Sequence, residues 1–243
     1  MKLLTLLSDF ILPPKCLFCG SSLEAGTRPL ICKTCFSKHG VNHSKCCRCG
    51  SDFEYRNGLP YCNTCRSCRH PFDGVVSCFY YSEGVRRSIV EHKFNFEYNN
   101  AQTLSTVLAN KVKSVFSEDM PDFVIPVPTS KKRLFQRGFD PLLEIAEEFS
   151  IETGVPLVSG TIIKHKHIPQ QSTLLTFRQR LKNVRGCFKL LDKTKVNNAK
   201  ILLIDDVYTT GATTRECAKI LKRGGASYIM IATVAISENF RRW

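Results

Sequence analysis

Ile201-Leu202-Leu203-Ile204 is an uninterrupted aliphatic run that stops at two adjacent acids, Asp205 and Asp206. A short apolar run with no polar alternation predicts a strand covered on both faces. Tyr228 to Ile236 and Phe123 to Val127 repeat the pattern, and the segments 72–82, Pro156 to Ile163 and Gly186 to Leu191 add further strand candidates. Between them the period lengthens. In residues 98–116, Ala101, Leu104, Leu108, Val112 and Val115 recur at steps of three or four, which places them on one helical face. Residues 84–94, Leu142 to Thr153 and Thr214 to Arg223 also predict helices, the last stopped by Gly224-Gly225. Strands alternating with helices predict an α/β domain around a parallel sheet, whose ligands bind at the carboxyl ends of the strands.

The first seventy residues follow a different rule. Eight of the 13 cysteines form two copies of one spacing: Cys16-x-x-Cys19 and Cys32-x-x-Cys35, then Cys46-x-x-Cys49 and Cys62-x-x-Cys65. Each C-x-x-C knuckle sets two thiolates on one side of a tight turn, and two knuckles complete a tetrahedral Zn²⁺ site. Four sulfurs leave no position open for water, so both zinc ions are expected to be structural. Disulfides are disfavoured because no convincing export signal precedes the cysteines. Two points stay open in the sequence: whether the knuckles pair in order or cross over, and whether Cys47 or Cys68 competes as a ligand. The leading segment, Met1 to Leu12, has a lysine and a short apolar stretch, but Asp9 interrupts it and Pro13-Pro14 follows. It predicts a short amphipathic helix packed on the rest, with no stable membrane insertion. No apolar run approaches the roughly 20 residues that span a bilayer.

Composition refines this picture. The chain of 243 residues has 43% hydrophobic residues and a formal charge of +14. The first figure suits an ordered globular protein, and the second favours polyanionic or phosphorylated ligands. Two Zn²⁺ ions on eight thiolates would remove about four charges and leave the chain basic.

The chemistry concentrates after the aliphatic run. Tyr208-Thr209-Thr210-Gly211-Ala212-Thr213 is a small-residue turn at the start of a helix, where backbone N–H groups attract phosphate and Gly211 permits close approach. Thr213 and Glu216 are spaced as a capping pair. Asp205 and Asp206 are placed to accept from ribose hydroxyls or to hold Mg²⁺. A second basic segment, Lys131, Lys132, Arg133 and Arg137, reads as a loop leaving the Phe123 strand that presents cations to a pyrophosphate. Lys164 to Arg185 is basic and weakly periodic, with the amides Gln170 and Gln171, and reads as a lid. Its His165 and His167 read as exposed rather than catalytic.

Ile204 to Thr213 resembles the phosphoribosyl pyrophosphate (PRPP) signature of type I phosphoribosyltransferases. Together with the paired knuckles, Ile125-Pro126-Val127-Pro128, Arg137-Gly138-Phe139 and Arg180-x-x-Asn183-Val184, the order of parts resembles the competence ComF family, specifically its ComFC-like members. The resemblance implies an N-terminal helix and double zinc ribbon over residues 1–70 joined to a type I phosphoribosyltransferase-like domain over 71–243. Within the latter, 71–120 would supply hood and packing elements and 121–243 the PRPP-binding core. It also implies a cytoplasmic protein of natural transformation and DNA uptake, with PRPP, Mg²⁺, single-stranded DNA and competence-machinery proteins as partners. Mapped by motif, Asp205 and Asp206 take the ribose hydroxyls and Mg²⁺ and are the candidate catalytic pair. Tyr208, Thr209, Thr210, Gly211, Ala212 and Thr213 hold the 5-phosphate, and Lys131, Lys132, Arg133 and Arg137 the pyrophosphate. One departure is visible: Asp140-Pro141 follows Arg-Gly-Phe where the family has Asn-Gln. A nucleic-acid binder with PRPP as regulator is the second class the residues allow. For it Phe53, Tyr55, Tyr61 and Phe72 serve either as stacking platforms or as filler of the metal module.

Overall fold

A computed structural model describes residues 9, 12–41, 46–50, 61–67, 69–94, 98–117, 119–166 and 177–237. Cys68, Phe53, Tyr55, His167, Gln170, Gln171 and nearly all of the leading segment lie outside the described residues. In chain order the elements are α1 (Lys33–His39), α2 (Asn63–Ser67), β1 (Gly74–Tyr80), α3 (Glu83–Phe94), α4 (Tyr98–Phe116), β2 (Phe123–Pro126) and α5 (Lys131–Arg137). They continue with α6 (Pro141–Thr153), β3 (Ile162–Lys164), α7 (Phe177–Val184), β4 (Phe188–Leu190), β5 (Lys200–Tyr208), α8 (Ala212–Arg223) and β6 (Tyr228–Ile236).

Four strands form a sheet in the order β1-β6-β5-β2, and every pairing is parallel. Ile201 to Ile204 and Ile229, Ile231, Ala232 and Val234 to Ile236 are fully buried, as continuous apolar runs in a two-faced sheet require. Strand period 2 decides what covers each face. On β1, Cys78 turns toward α4, where its thiol contacts the Val107 carbonyl at 3.5 Å. Phe79 turns the other way and meets Phe18 edge-on at 4.9 Å and Phe36 at 5.5 Å. Helices α4 and α6 therefore cover one face, while the zinc module and α8 cover the other.

Three expectations need correction. Pro156 to Ile163 is not one strand: Leu157 makes a single parallel bridge to Val124, and then Ile162–Lys164 pairs antiparallel with Phe188–Leu190 as a separate hairpin. Lys131 to Arg137 is a helix rather than a loop, closed by Gly138 in the left-handed conformation (φ 78°). Thr213 and Glu216 form no cap. Gly211 is the N-cap of α8, and the Glu216 carboxylate instead accepts from the Gly186 N–H at 3.0 Å.

The zinc module is fastened to the sheet by backbone as well as by packing. Val41 donates to the Cys78 carbonyl at 2.9 Å and Val75 to the Cys47 carbonyl at 3.1 Å. Arg87 Nη2 reaches the Phe18 carbonyl at 2.6 Å, and the Leu30 N–H reaches Thr103 Oγ1 at 3.3 Å. Phe18, Ile31 and Cys35 join the apolar cluster of the sheet, whereas Cys46, Cys49, Cys62 and Cys65 form a cluster of their own against Tyr61.

Candidate functional site

The cysteines assemble in sequential pairs: Cys16, Cys19, Cys32 and Cys35 in one cluster, Cys46, Cys49, Cys62 and Cys65 in the other, with all sulfurs of a cluster within 4.8 Å of one another. Cys19 and Cys32 sulfurs are 3.8 Å apart, as are those of Cys49 and Cys62. A tetrahedron with Zn–S bonds of about 2.3 Å has edges near 3.8 Å, so both cages fit Zn²⁺. Cys47 is exposed and outside the second cage. These are structural sites, closed by four sulfurs.

The other site arises because β5 outruns its neighbour. β2 pairs with β5 only as far as Pro126 opposite Ile204, whereas β5 continues beside β6 to Tyr208 opposite Ile236. Val127 closes the last rung by donating to the Ile204 carbonyl at 2.9 Å, and the chain then turns away. Asp205 and Asp206 thus lie inside the strand, with one flank bare of sheet partners, and a cleft of about 340 Å³ opens there. Period 2 sends the two carboxylates to opposite faces. Asp206 pairs with Lys93 at the end of α3. Asp205 faces α8 and lies within electrostatic range of Lys164 and Cys217.

Around this pair the cleft is lined by Lys93, Lys164, Arg133 and Arg137, with Tyr81, Pro128, Thr129, Thr209 and Thr213 between them. Four cations against two carboxylates make an anion receptor rather than a bare cation site. Helical spacing explains which of the α5 cations take part: Arg133 and Arg137 are four residues apart and share a face. Lys131 and Lys132 are exposed and line a neighbouring cavity of about 530 Å³ that shares Pro128 to Ser130 and Lys164 with the cleft. Asp140, the departure from the family pattern, caps α6 by accepting from the Leu142 N–H at 3.2 Å and from Thr129 Oγ1 at 3.1 Å, with Pro141 in the first turn. It therefore braces the loop that forms the cleft wall.

Electrostatics separate the two acids. Burial, then the neighbouring Asp206 charge, push the Asp205 carboxyl up to about 8, against the opposing pull of Lys93 and Lys164. Burial and Arg133 press the Lys164 ammonium below its ordinary range. Burial and Arg133 also lower Arg137, whose guanidinium stacks 5.3 Å from the Phe94 ring.

The turn beyond β5 is built on two supports. Gly211 adopts φ 66°, and a side chain there would run into the ring of Tyr208, which lies buried beneath the turn. Thr210 Oγ1 accepts from the Ala212 N–H at 3.4 Å, and Thr209 Oγ1 accepts from Arg180 of α7 at 3.4 Å. The first-turn N–H groups of α8 have no intrahelical acceptors and form the positive end of its dipole. Thr209 and Thr213 border the cleft, whereas Gly211 and Ala212 are buried behind them.

Sequence reasoning missed Lys93 and Phe94. Nothing in α3 marks its last turn as part of a site, because the juxtaposition comes from tertiary packing. The stacking candidates in the zinc module fare differently. Phe72 is buried, and Tyr61 is covered by Arg48 at 4.7 Å from its ring centroid.

An α/β domain built on a parallel sheet, behind a double zinc ribbon, is the class these features define. Residues 7–70 match the double zinc ribbon domain family. Along nearly the whole chain the similarity is to competence and DNA-utilization proteins. Competence protein F of Haemophilus influenzae is 26% identical over 221 residues, 89% of this chain and 94% of that protein. DNA utilization protein YhgH of Escherichia coli K12 is 26% identical over 222 residues, 90% and 95% of the two chains. Competence protein ComFC of Bacillus subtilis is 27% identical over 165 residues, 65% and 62%. These relatives bear out the resemblance to the ComF family. Among solved structures, the glutamine PRPP amidotransferase of B. subtilis is 18% identical with a TM-score of 0.39, over 58% of this chain and 30% of that one. An adenine phosphoribosyltransferase is 12% identical with a TM-score of 0.38, over 56% and 72%. The chain thus spans less than a third of the length of the former. No helix among the described residues is long and apolar enough to cross a membrane.

Proposed function

We propose that the cleft binds Mg²⁺ and PRPP and transfers the 5-phosphoribosyl group to a nitrogen nucleophile. In that step the acceptor nitrogen forms a bond to ribose C1, the bond from C1 to the pyrophosphate oxygen breaks, and the acceptor proton passes to solvent. The observation that carries this reading is the overhang of β5, which sets Asp205 and Asp206 between a helix N-terminus and the cations of α3 and α5. Thr209 and Thr213, with the amides behind them, suit a terminal phosphate. Arg133 and Arg137 suit a pyrophosphate, which a guanidinium grips with two prongs. The two carboxylates are hard oxygen donors that suit Mg²⁺ shared with substrate phosphates. When bound, that ion would neutralise charge on the departing pyrophosphate. For Asp206 to engage it or the ribose hydroxyls, the Lys93 ion pair must open, which leaves Lys93 free to meet the pyrophosphate.

The names of the relatives support a role in handling incoming DNA, with competence proteins as partners, and eight cysteines gathered as metal-binding thiolates suit a reducing, cytoplasmic location. Calorimetry with Mg²⁺ and PRPP at millimolar concentration tests binding, and its silence would overturn the reading. Pyrophosphate release in a screen of nitrogen nucleophiles tests turnover. Asp206→Ala is expected to abolish release while the protein stays folded.

A second reading is favoured by one observation. Phe94 and Phe135 are 68% and 92% exposed, on helices whose neighbouring side chains are cationic. Exposed rings among lysines and arginines suit stacked bases and a phosphate backbone, so the protein would bind single-stranded DNA with PRPP as regulator. Binding that falls steeply with salt, drops on Phe94→Ala or Phe135→Ala, and survives Asp206→Ala would favour this reading over turnover.

A further inference from the structure

The second metal cage lies directly behind the phosphate turn, and one histidine joins them. His70 Nε2 is 3.2 Å from the sulfur of Cys65, and its Nδ1 is 3.2 Å from Nη1 of Arg215. A metal-bound thiolate can only accept and a guanidinium can only donate, so the neutral ring fits both: Nε2–H donates to sulfur and Nδ1 accepts from Arg215. Phe72, itself buried, packs on the ring with centroids 5.2 Å apart and fixes its plane. Arg215 is the fourth residue of α8, and its N–H closes the first helical turn on the Gly211 carbonyl at 2.8 Å. A second strut runs beside the first. The Tyr208 phenol lies within electrostatic range of Arg215 and of Cys46, Cys49 and Cys65, and its ring supports Gly211. The first cage is tied elsewhere, to β1, α3 and α4 through Phe18, Arg87 and Thr103.

We propose that the second zinc cage holds the phosphate turn in its binding geometry, with His70 as the positioning residue that links Cys65 to Arg215. The inference rests on the reading of the turn as a phosphate site, and its physical core is the coupling between the two elements. Loss of metal or oxidation of thiols in the second ribbon would then register at the cleft, while the first ribbon acts on stability alone.

The test compares full-length variants that keep their zinc. His70→Phe preserves packing on Phe72 but removes both polar contacts. His70→Gln keeps one donor and one acceptor, and Arg215→Met keeps the aliphatic stem. Metal analysis should find two zinc ions per chain in each. Hydrogen exchange across residues 208–214 is expected to quicken about tenfold in His70→Phe and in Arg215→Met, the effect of losing one hydrogen bond to a charged group. The double variant should be no faster than either single one, His70→Gln should recover part of the protection, and the β3–β4 hairpin should not change. PRPP affinity should weaken by a similar factor in His70→Phe. Unchanged exchange at the turn in a zinc-replete His70→Phe protein, or additive effects in the double variant, would overturn the coupling. If His70→Phe sheds its second zinc, Arg215→Met, a change outside the eight cage cysteines, decides the matter provided its own metal content is intact. Should wild-type protein give no heat with PRPP, the phosphate reading fails, yet the exchange comparison still judges the link.

Discussion

Asp205 and Asp206 are sequence neighbours with different work, because a strand sends adjacent side chains to opposite faces. Asp206 has a cation beside it, while Asp205 is enclosed near α8 and its ionised form is disfavoured. The sign of its contribution follows. Its folded value is raised above the unfolded value of about 3.9, so the cost to stability is absent below that pH, grows toward 8, and stays constant above it. Asp205→Asn is therefore expected to melt higher than wild type at pH 9, with the gap narrowing steadily as pH falls and closing only near pH 4, as scanning calorimetry at several pH values would show. The same variant should lose PRPP binding, which separates the acid's role from its cost. Gly211 is the second residue with a forced identity. Gly211→Ala must hold a left-handed backbone at about 1–2 kcal/mol and also push against Tyr208. Each kcal/mol lost should lower the melting temperature by roughly 2–4 °C.

At the scale of elements, the α5 segment shows how secondary structure sorts charges that look alike in the chain. As a loop, Lys131, Lys132, Arg133 and Arg137 would be equivalent. As a helix, only the two arginines border the cleft with the aspartates. Arg133→Ala and Arg137→Ala are each expected to weaken PRPP binding about tenfold, the worth of a charge-assisted hydrogen bond, while Lys131→Ala and Lys132→Ala change it less than about twofold; titration calorimetry on the four variants checks the pattern. The helix itself was hidden because Pro126, Pro128 and the lysine pair resemble a solvated loop, and its one clear signal was Gly138 at the C-terminal cap. Lys93 entered the site by the same kind of event, packing of α3 beside β5, which no local pattern announces.

For the whole molecule, the first ribbon and the sheet share one apolar cluster, and Phe18 lies at the seam against Phe79. Ribbon and α/β domain should therefore lose structure together. Phe18→Ala is expected to cost about 3–5 kcal/mol, lowering the single melting transition by roughly 6–20 °C at 2–4 °C per kcal/mol. Chelation of zinc should act in the same direction, because cage formation contributes folding energy; near- and far-ultraviolet circular dichroism recorded with and without chelator would follow both parts. Two separate transitions would mean that the seam carries little.

Local chemistry was enough to reveal the metal cages, the buried strands and the glycine turn that opens α8. Cysteine spacing, an unbroken aliphatic run and a glycine at a turn each express a constraint among residues close in the chain. The sequence left the pairing of the knuckles open, together with the company of the two aspartates and the bridge through His70. Those depend on strand register, on the length by which β5 exceeds β2 and on the packing of α3, α5 and the second ribbon about it. Such contacts join residues far apart in the chain, so only the folded molecule decides them.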